Sequence, residues 1–374
     1  MQSPEDFAQL TGAPLPSLPP SFVVRAAVAL RRLVLRCLDG VFPADVVVME
    51  ASMGFWLTHA LGAVSRLGVA DLLCEEPMSA ETLAARLGSH PDSTARLMQG
   101  LTSAGFFRRA TGGKYANNRL SLPLRRGTLT QTKSWVEYLA SRSLQSSWLE
   151  LETTLATGAN GFEHVFGMTT WEWFEQHAPE QHTFALAMQG LTVRDAAVIS
   201  GLYPFSEINS LCDVGGGQGT LLSELLIRHP HLKGVLVDSP GTLVSARILL
   251  ERREVLARVV LTPGSFFERV PEGADAYLLK NILHDWDDAR CLKILSTCRA
   301  AMRPGTRILL SEMLLNPERP DRYTAFSDLQ MMVVCAGGRE RTASELGELL
   351  EAAGFAVGRL YRAATLGILE GVAR

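Results

Sequence analysis

The feature that most constrains the fold lies in the second half of the chain, where short apolar runs alternate with stretches of helical periodicity. Five runs have the length and composition of buried strands: SLCDV, GVLVD, VVLTPG, AYLLKN and RILLSEM, between Ser210 and Met313. Stretches of ten or more residues with helical character separate most of them. Because parallel strands need long crossover connections, usually helices, this pattern predicts a doubly wound α/β domain with a parallel sheet covered on both faces.

A glycine-rich turn follows the first of these strands, in the segment CDVGGGQGTLL. Gly215, Gly217 and Gly219 carry no Cβ, so the backbone of this turn can approach a ligand closely. Asp238 ends the next strand, where a carboxylate can accept hydrogen bonds from both ribose hydroxyls. The two features predict a ligand with a nucleoside, although such a turn also occurs in NAD enzymes and in chains that bind nothing.

Two details favour S-adenosylmethionine over a dinucleotide. The acidic side chain of Asp213 precedes the turn, and it would attract the ammonium and sulfonium groups of that cofactor but repel a pyrophosphate. The glycine spacing also departs from the G-x-G-x-x-G pattern of dinucleotide sites.

The first half of the chain has helical periodicity. Residues 22–38 form a basic amphipathic stretch in which arginines, including Arg31 and Arg36, interrupt the apolar run. The charges argue against a membrane-spanning helix, and the apolar spacing favours packing against a partner subunit over a membrane surface. One long helix is predicted from Met49 to about Gly68.

A winged helix-turn-helix is predicted next. Ser79 would cap one helix, Gly88 would form the turn, a second helix would follow Pro91, and a hairpin would turn at Gly112 and Gly113. The second helix resembles a recognition helix, but Arg96 is its one cation over residues 92–104. Reading DNA requires several basic or amide side chains, so a packing or dimerisation module is the favoured interpretation.

The segment 162–205 is rich in aromatic residues, Met and His. Its side chains, including Trp171, Trp173, Phe184 and Met188, suit either a core or a pocket for an aromatic substrate. The predicted organisation is therefore an N-terminal arm and helix (1–45), a helical winged-helix-like module (46–160), connecting helices that line the pocket (161–205) and the α/β domain (206–374).

Composition limits the partners. A net charge of −3 with 20% charged residues gives no electrostatic bias toward nucleic acid or anionic lipid. The six cysteines include no C-x-x-C pair, which argues against both a zinc site and a disulfide framework. A cytoplasmic protein that acts on a small molecule is the expectation, with no nucleic-acid or membrane partner.

The motifs LCDVGGGQGTLL, LVDSP, GSFFERVPEGADAYLLKNILHDWDD, ILLSEML and GGRERTASELGELLEAAGF together resemble the S-adenosylmethionine-dependent O-methyltransferase family. This family includes plant caffeic acid and isoflavone enzymes, acetylserotonin methyltransferase and bacterial natural-product enzymes. The resemblance runs from about residue 50 to residue 374. It implies a Rossmann-like class I methyltransferase domain preceded by a mostly α-helical winged-helix dimerisation domain, a homodimer, and S-adenosylhomocysteine as the product of the cofactor.

The same resemblance implies roles for individual residues. His284, in KNILHDW, matches the family's general base, and Glu312 and Glu340 match two acids beside it. Imidazole suits this role, since it titrates near neutrality and can take the proton of the attacking hydroxyl. The cofactor candidates are Asp213, Gly215, Gly217, Gly219, Asp238, Ser265, Phe266, Lys280 and Thr192. The acceptor candidates are Met188, Trp171, Phe184 and Asp285.

One cofactor position departs from the family pattern. Ser265 stands where plant members carry an Asp that binds the adenine amino group, and a serine hydroxyl accepts that hydrogen bond more weakly. No metal ligand set is predicted, because Asp285, Asp287 and Asp288 suit the N-terminus of a helix.

The predicted activity is methylation of a hydroxyl on an aromatic or polyketide-like small molecule, in secondary metabolism. Three alternatives remain open. Some bacterial relatives bind the cofactor but perform hydroxylation, decarboxylation or pericyclic chemistry, and these tend to lack the catalytic His. An NAD-dependent oxidoreductase would prefer a nicotinamide cofactor, and a winged-helix regulator would bind duplex DNA with a steep salt dependence.

Overall fold

The computed structural model describes residues 12, 14–15, 21–363 and 366–374. Most of the first 20 residues of the predicted N-terminal arm and helix (1–45) lie outside the described residues. The chain divides into two compact units: residues 22–145 with 179–191, and residues 146–178 with 192–374, to which 12, 14–15 and 21 also belong.

Four helices begin the described chain: α1 (Ser21–Val41), α2 (Ala44–Ser52), α3 (Gly54–Leu67) and α4 (Val69–Glu75). The amphipathic helix predicted over 22–38 is confirmed. The helix predicted from Met49 to Gly68 is divided into α2 and α3 at Met53, whose ψ of −5° departs from the −42° of a regular α-helix. Gly68, with φ of 70°, ends α3 in the left-handed conformation.

The helix-turn-helix and its hairpin are confirmed as α5 (Ala80–Leu87), α6 (Pro91–Ser103), β1 (Arg108–Arg109) and β2 (Tyr115–Ala116). The Ser79 hydroxyl accepts a hydrogen bond from the Thr82 N–H and caps α5, as predicted. Arg96 lies within 4.0 Å of Asp92 on the exposed side of α6. This pairing reduces the positive charge that the helix could offer to a phosphate.

Helices α7 (Thr132–Leu139), α8 (Arg142–Leu149), α9 (Leu151–Thr157), α10 (Gly161–Phe166) and α11 (Thr170–Gln176) precede the long helix α12 (Ala178–Leu202). Residues 179–191 of α12 belong to the first unit and residues 192–202 to the second. The helix therefore contributes to both units.

The stretch Ala44–Leu67 is long and apolar enough, by length and composition, to cross a membrane, and 6% of its most apolar window is buried. Its exposed side chains include Phe55 and Trp56. On α1, the apolar residues Leu30, Leu33 and Leu38 are exposed as well. These faces are apolar surface that the described residues leave exposed.

A seven-stranded sheet organises the second unit. Its strands are β3 (Ser210–Val214), β4 (Lys233–Asp238), β5 (Val259–Pro263), β6 (Ala276–Lys280), β7 (Arg307–Met313), β8 (Phe355–Arg362) and β9 (Leu366–Ala373), and their order is β5-β4-β3-β6-β7-β9-β8. All five strands predicted from the sequence are confirmed. The expectation of a purely parallel sheet is corrected, because β9 pairs antiparallel with both β7 and β8.

The helices of this unit are α13 (Thr220–Arg228), α14 (Pro240–Arg252), α15 (Asp288–Ala300), α16 (Arg322–Val334) and α17 (Ala343–Ala352). Apolar side chains of β3, β6, β7, α15 and α17 form one buried core. Strand β3 has β4 on one side and β6 on the other, both parallel to it, so the chain changes direction across the sheet at this point. Open α/β sheets bind ligands at such points, beside the carboxyl ends of the strands.

A buried ion pair links α13 to the end of α14. The Glu224 side chain is fully buried. The Arg253 guanidinium donates a hydrogen bond to it, with 2.5 Å between Nη2 and Oε2. Arg228 contacts the other carboxylate oxygen, and the Leu15 N–H donates to both oxygens at 3.0 Å. The pair thus also holds the described part of the N-terminal arm.

Candidate active site

The turn between β3 and α13 is shaped by glycines with left-handed backbone. Gly215, Gly217 and Gly219 have φ values of 70°, 59° and 76°. A Cβ on Gly215 would lie 2.6 Å from the Cδ1 of Ile282, so a side chain has no room there. The turn therefore keeps bare backbone at the carboxyl end of the central strand.

Asp213 lies beneath this turn at the end of β3. Its side chain is almost fully buried, and its Oδ2 atom has no hydrogen-bond partner among the described residues. Burial and the nearby charge of Asp238 raise the pKa of Asp213 to about 7, and the charge of Lys280 opposes them. A cation bound at this edge of the sheet would stabilise the ionised carboxylate.

Asp238 lies at the end of β4, beside the same turn. Its Oδ2 accepts the N–H of Gly217 at 2.9 Å, and its Oδ1 accepts the N–H of Ser239 at 2.7 Å. Burial raises the pKa of Asp238 above its ordinary value, although these two bonds oppose the increase. The carboxylate is therefore held against the glycine turn and can accept further hydrogen bonds from a ligand.

These residues fit the cationic nucleoside ligand predicted from the sequence. The buried atoms that lack a hydrogen-bond partner among the described residues include Asp213 Oδ2 and both side-chain amide atoms of Gln218, which lies within the turn. Unsatisfied buried polar atoms are costly, and a polar ligand can satisfy them.

The remaining cofactor candidates lie on neighbouring elements. Lys280 ends β6 and pairs with Asp195 of α12, with 3.1 Å between Nζ and Oδ2. Thr192 lies one turn before Asp195 on the same helix. The Ser265 hydroxyl accepts the Phe267 N–H at 3.2 Å, so it helps to form its own turn.

Phe266 lies close to the glycine turn. A Cβ on Gly215 would lie 3.2 Å from the Cε1 atom of Phe266, and the Phe266 ring packs edge to face with Trp286 at 6.5 Å between centroids. The ring is half-buried and supplies an apolar surface beside the bare backbone.

His284 lies in a short 3-10 turn (Leu283–Asp285) that follows β6. Asn281, with φ of 52°, turns the chain out of the strand in a conformation that asparagine tolerates better than most residues. Glu312, at the end of β7, accepts the N–H groups of Ile282 and Leu283 at 3.1 and 3.0 Å through its Oε1 atom. Glu312 thereby anchors the backbone of the turn and does not bond to the imidazole itself.

Glu340 contacts the imidazole directly. The distance between His284 Nδ1 and Glu340 Oε1 is 3.0 Å, and that between His284 Nε2 and Asp285 Oδ1 is 3.5 Å. Burial alone would lower the pKa of His284. The charges of Asp285, Glu340 and Glu312 and the bond to Glu340 outweigh this effect and raise the pKa to about 10.

The pKa values of two acids around His284 are also raised. Burial raises the pKa of Asp285 to about 6 and that of Glu312 to about 7, and in both cases the charge of His284 opposes the increase. Several carboxyl groups thus compete for protons with one imidazole in a site that solvent scarcely reaches. Such pKa values near neutrality are typical of groups that transfer protons.

The acceptor candidates are divided between the two units. Trp171 of α11 stacks with Trp286 at 6.1 Å between ring centroids, in the same unit as His284. Phe184 and Met188 lie on the part of α12 that belongs to the first unit, where Phe184 packs edge to face with Tyr138.

Sequence reasoning missed two side chains that bond to the predicted site residues. Ser327 of α16 donates to Glu340 at 2.7 Å, and Asp195 pairs with Lys280. Neither belongs to a motif, and in sequence they lie 13 and 85 residues from their partners (340 − 327 and 280 − 195). No local signal in the sequence could have revealed them.

His284, Glu312 and Glu340 each bring one donor atom within 4.8 Å of the other two. The Oε1 atom of Glu312 already accepts two backbone N–H groups, and Oε1 of Glu340 accepts two side-chain donors. The oxygens with protein partners are therefore occupied in orienting the turn and the imidazole.

Two family models match the chain. Residues 148–356 match an O-methyltransferase domain, and residues 49–124 match an O-methyltransferase dimerisation domain. The first model thus includes β3 to β7, the glycine turn and all three residues of the His284 cluster.

Curated relatives are similar over most of their length. The mitomycin biosynthesis 6-O-methyltransferase of Streptomyces lavendulae is 33% identical over 84% of this chain and 90% of its own. The phenazine-1-carboxylate N-methyltransferase of Pseudomonas aeruginosa is 32% identical over 84% of this chain and 92% of its own.

A solved structure is similar in fold. An O-methyltransferase from neocarzinostatin biosynthesis, in complex with S-adenosylmethionine and 2-hydroxy-5-methyl naphthoic acid, superposes with a TM-score of 0.75 at 29% identity. The match covers 85% of this chain and 96% of that one.

Proposed function

Because the chain belongs to the S-adenosylmethionine-dependent O-methyltransferase family, we propose that it methylates a hydroxyl of an aromatic or polyketide-like small molecule, with His284 as the general base. The observation that carries this proposal is the hydrogen bond between His284 Nδ1 and the buried carboxylate of Glu340. When Nδ1 carries a proton for this bond, the neutral imidazole has its lone pair on Nε2. Nε2 can then take the proton of an attacking hydroxyl. Because the surrounding acids raise the pKa of His284 to about 10, the unprotonated form is more abundant at alkaline pH, and the activity is expected to rise with pH.

The cofactor is S-adenosylmethionine, which supplies an electrophilic methyl group and leaves as S-adenosylhomocysteine. We assign Asp213, the three glycines of the turn and Asp238 to its binding, with Ser265, Phe266, Lys280 and Thr192 around them. Asp238 would accept the ribose hydroxyls, and the bare backbone would allow their close approach. Asp213 would stabilise positive charge at the same edge.

The acceptor would lie against aromatic side chains. Trp171 and Trp286 form a stacked pair, and Asp285 places a carboxylate within 3.5 Å of His284 Nε2. Stacked indole rings favour a flat aromatic ligand, and the carboxylate can orient its hydroxyl. Phe184 and Met188, which belong to the first unit, stay candidates for acceptor binding on the evidence of the sequence. The relatives named above act in antibiotic biosynthesis or on phenazines, which supports an acceptor from secondary metabolism.

Transfer to oxygen is favoured over transfer to nitrogen, although one relative is an N-methyltransferase. An aromatic ring nitrogen has a lone pair and loses no proton when it is methylated. A hydroxyl must lose one, and the His284 cluster is built for that step. We assign no metal to this cluster, since positioning and proton transfer are sufficient for the reaction.

The proposal is tested with matched acceptors. The purified protein is incubated with S-adenosylmethionine labelled in its methyl group and with pairs such as a naphthol and a quinoline of similar size, whose ring nitrogen loses no proton when it is methylated. We expect a mass gain of one labelled methyl on the naphthol and its assignment to oxygen by NMR. Labelling of the quinoline alone would refute O-methylation. Cofactor binding without any methylated product across a broad phenol panel would favour the non-methylating relatives.

Asp238→Asn is expected to weaken S-adenosylmethionine binding about 10- to 150-fold, because a charge-assisted hydrogen bond contributes about 1.5–3 kcal/mol. The asparagine keeps one oxygen acceptor for the glycine turn but loses the charge. Isothermal calorimetry measures the affinity. The control is Glu251→Gln, which changes an exposed acid on α14. Equal affinities for the parent and Asp238→Asn would show that the ribose binds elsewhere.

The protein is expected to be a cytoplasmic homodimer, with twice its 40.8 kDa mass by light scattering at micromolar concentration. The dimerisation model covers residues 49–124, and the exposed apolar faces of α1 and α3 suit a partner subunit. Leu30→Glu with Leu33→Glu should shift the equilibrium toward monomer. Val244→Glu, which changes an equally exposed residue on α14, should not. A parent protein that is already monomeric would contradict the assignment.

A further inference from the structure

A serine outside every recognised motif bonds to the carboxylate that holds the imidazole. The Ser327 hydroxyl donates to Glu340 Oε1 at 2.7 Å, and the same oxygen lies 3.0 Å from His284 Nδ1. The other oxygen, Oε2, is buried without a partner among the described residues. All the described hydrogen bonds of this fully buried carboxylate therefore converge on one atom.

Helix α16 holds Glu340 through two successive residues. Next to Ser327, Asp328 accepts the backbone N–H of Glu340 at 2.8 Å through its Oδ1 atom. The loop that carries Glu340 is also tied to the histidine turn, because the Arg339 N–H donates to the His284 carbonyl at 2.8 Å. Backbone contacts thus fix the position of Glu340, and the Ser327 hydroxyl fixes the orientation of its carboxylate.

We propose that Ser327 is a positioning residue that orients the Glu340 carboxylate toward His284 and limits how strongly that carboxylate stabilises the imidazolium. The proposal rests on the proposed role of His284 as the base. A donated hydrogen bond disperses part of the negative charge of the acceptor. Ser327 and the imidazole therefore share the charge of one oxygen.

The sharing of this charge between Ser327 and the imidazole matters because several acids surround the imidazole. Glu340 of the loop before α17, Asp285 of its own turn and Glu312 of β7 all raise the pKa of His284. Cys335, at the end of α16, contacts Asp285 with 3.6 Å between Sγ and Oδ1. A base must be unprotonated to act, so a group that restrains this increase keeps His284 active at lower pH.

Removal of the Ser327 hydroxyl should raise the pKa of His284. In Ser327→Ala the carboxylate loses one donor, its charge acts more fully on the imidazole, and the pKa of His284 rises further. The expected change is about 0.5–1 pH unit, which is the strength of an ordinary hydrogen bond expressed as a pKa shift. The acidic limb of kcat/KM should move to higher pH by the same amount. A general loss of structure would instead lower the rate at every pH.

The experiment titrates the full-length protein labelled with ¹³C-histidine by NMR, with the His284 signal assigned by its loss in His284→Gln. Ser327→Ala should raise the pKa of His284, Ser327→Cys should raise it less because a thiol is a weaker donor, and Ser327→Thr should restore it. The matched control is Thr324→Val on the same helix, where the buried hydroxyl has no hydrogen-bond partner among the described residues. It should leave the pKa unchanged.

Two results would overturn the proposal. One is an unchanged or lowered pKa of His284 in both Ser327→Ala and Ser327→Cys. The other is an equal shift in Thr324→Val, which would indicate a general effect of altering α16. Because the titration needs no acceptor and no turnover, it is independent of the test of His284 as the base. Normal turnover by His284→Ala would refute that base role and leave the titration result unaffected.

Discussion

His284→Ala should lower turnover on a weakly acidic hydroxyl about 10²- to 10⁴-fold, the contribution attributed to general-base catalysis. The variant lacks the group that takes the hydroxyl proton, whereas the glycine turn, Asp213 and Asp238 are unchanged. The affinity for S-adenosylmethionine should therefore stay nearly constant. Steady-state kinetics measure the first quantity and calorimetry the second.

The acidity of the acceptor provides the internal control. A phenol that is already ionised at the assay pH needs no base, so the defect of His284→Ala should shrink across a series of nitro-substituted phenols and as pH rises through the pKa of each acceptor. A defect below a few-fold at every pH on a poorly acidic hydroxyl would mean that His284 is not the base. The non-methylating relatives would then be the better model.

Variants of the acids around His284 provide a second test of its role as the base. Glu340→Gln removes one negative charge and replaces the acceptor of the Nδ1 bond with an amide, and Glu312→Gln removes a charge that acts from a greater distance. Both changes stabilise the imidazolium less, so the pKa of His284 falls and the acidic limb of kcat/KM moves to lower pH. The shift should be larger for Glu340→Gln, because Glu340 bonds to the ring and Glu312 bonds to the backbone of the turn.

Arg253→Met should lower the free energy of unfolding by about 3 kcal/mol, the lower end of the usual cost of removing one partner of a buried ion pair, because Arg228 still contacts Glu224. Glu224 is completely buried and Arg253 is 2% exposed, so water cannot compensate for the lost guanidinium. Burial also lowers the pKa of Arg253, although the charge of Glu224 opposes this effect. Urea unfolding measures the change.

Two further variants separate the ion pair from simple packing. Glu224→Leu with Arg253→Met leaves no charge of this pair uncompensated, so it should lose less stability than the sum of the two single changes. Arg86→Met breaks an exposed pair with Glu75 and should cost at most about 1 kcal/mol. If Arg253→Met is as mild as Arg86→Met, the buried pair does not stabilise the α/β unit.

Local patterns in the sequence were sufficient for much of the fold. The bounds of SLCDV and RILLSEM match β3 and β7 residue for residue, and the Ser79 cap, the Gly88 turn and the hairpin at Gly112 were predicted correctly. Each of these features depends on residues within a few positions of one another. The exception is the helix predicted from Met49, since its apolar periodicity continues through the break at Met53.

The antiparallel edge of the sheet was not predicted. Strands β8 and β9 follow each other closely, and nothing in their own residues requires β9 to lie beside β7. That pairing joins strands whose paired residues, such as Arg307 and Val372, are far apart in sequence. Pairing of β3 to β7 leaves two open edges, at β5 and at β7, so the choice of β7 depends on contacts between residues that are far apart in sequence.

The sequence by itself therefore determined the five parallel strands, the helix-turn-helix, the glycine turn and, through its motifs, which acids and which histidine are candidates for the chemistry. Only the tertiary structure decided which groups those acids contact. Glu312 bonds to the backbone of the turn, whereas Glu340 bonds to the imidazole and to Ser327. The physical reason is one of range. Helix and strand periods act over two to four residues, whereas a contact between His284 and Glu340 exists only after the sheet has brought two distant loops to the same edge.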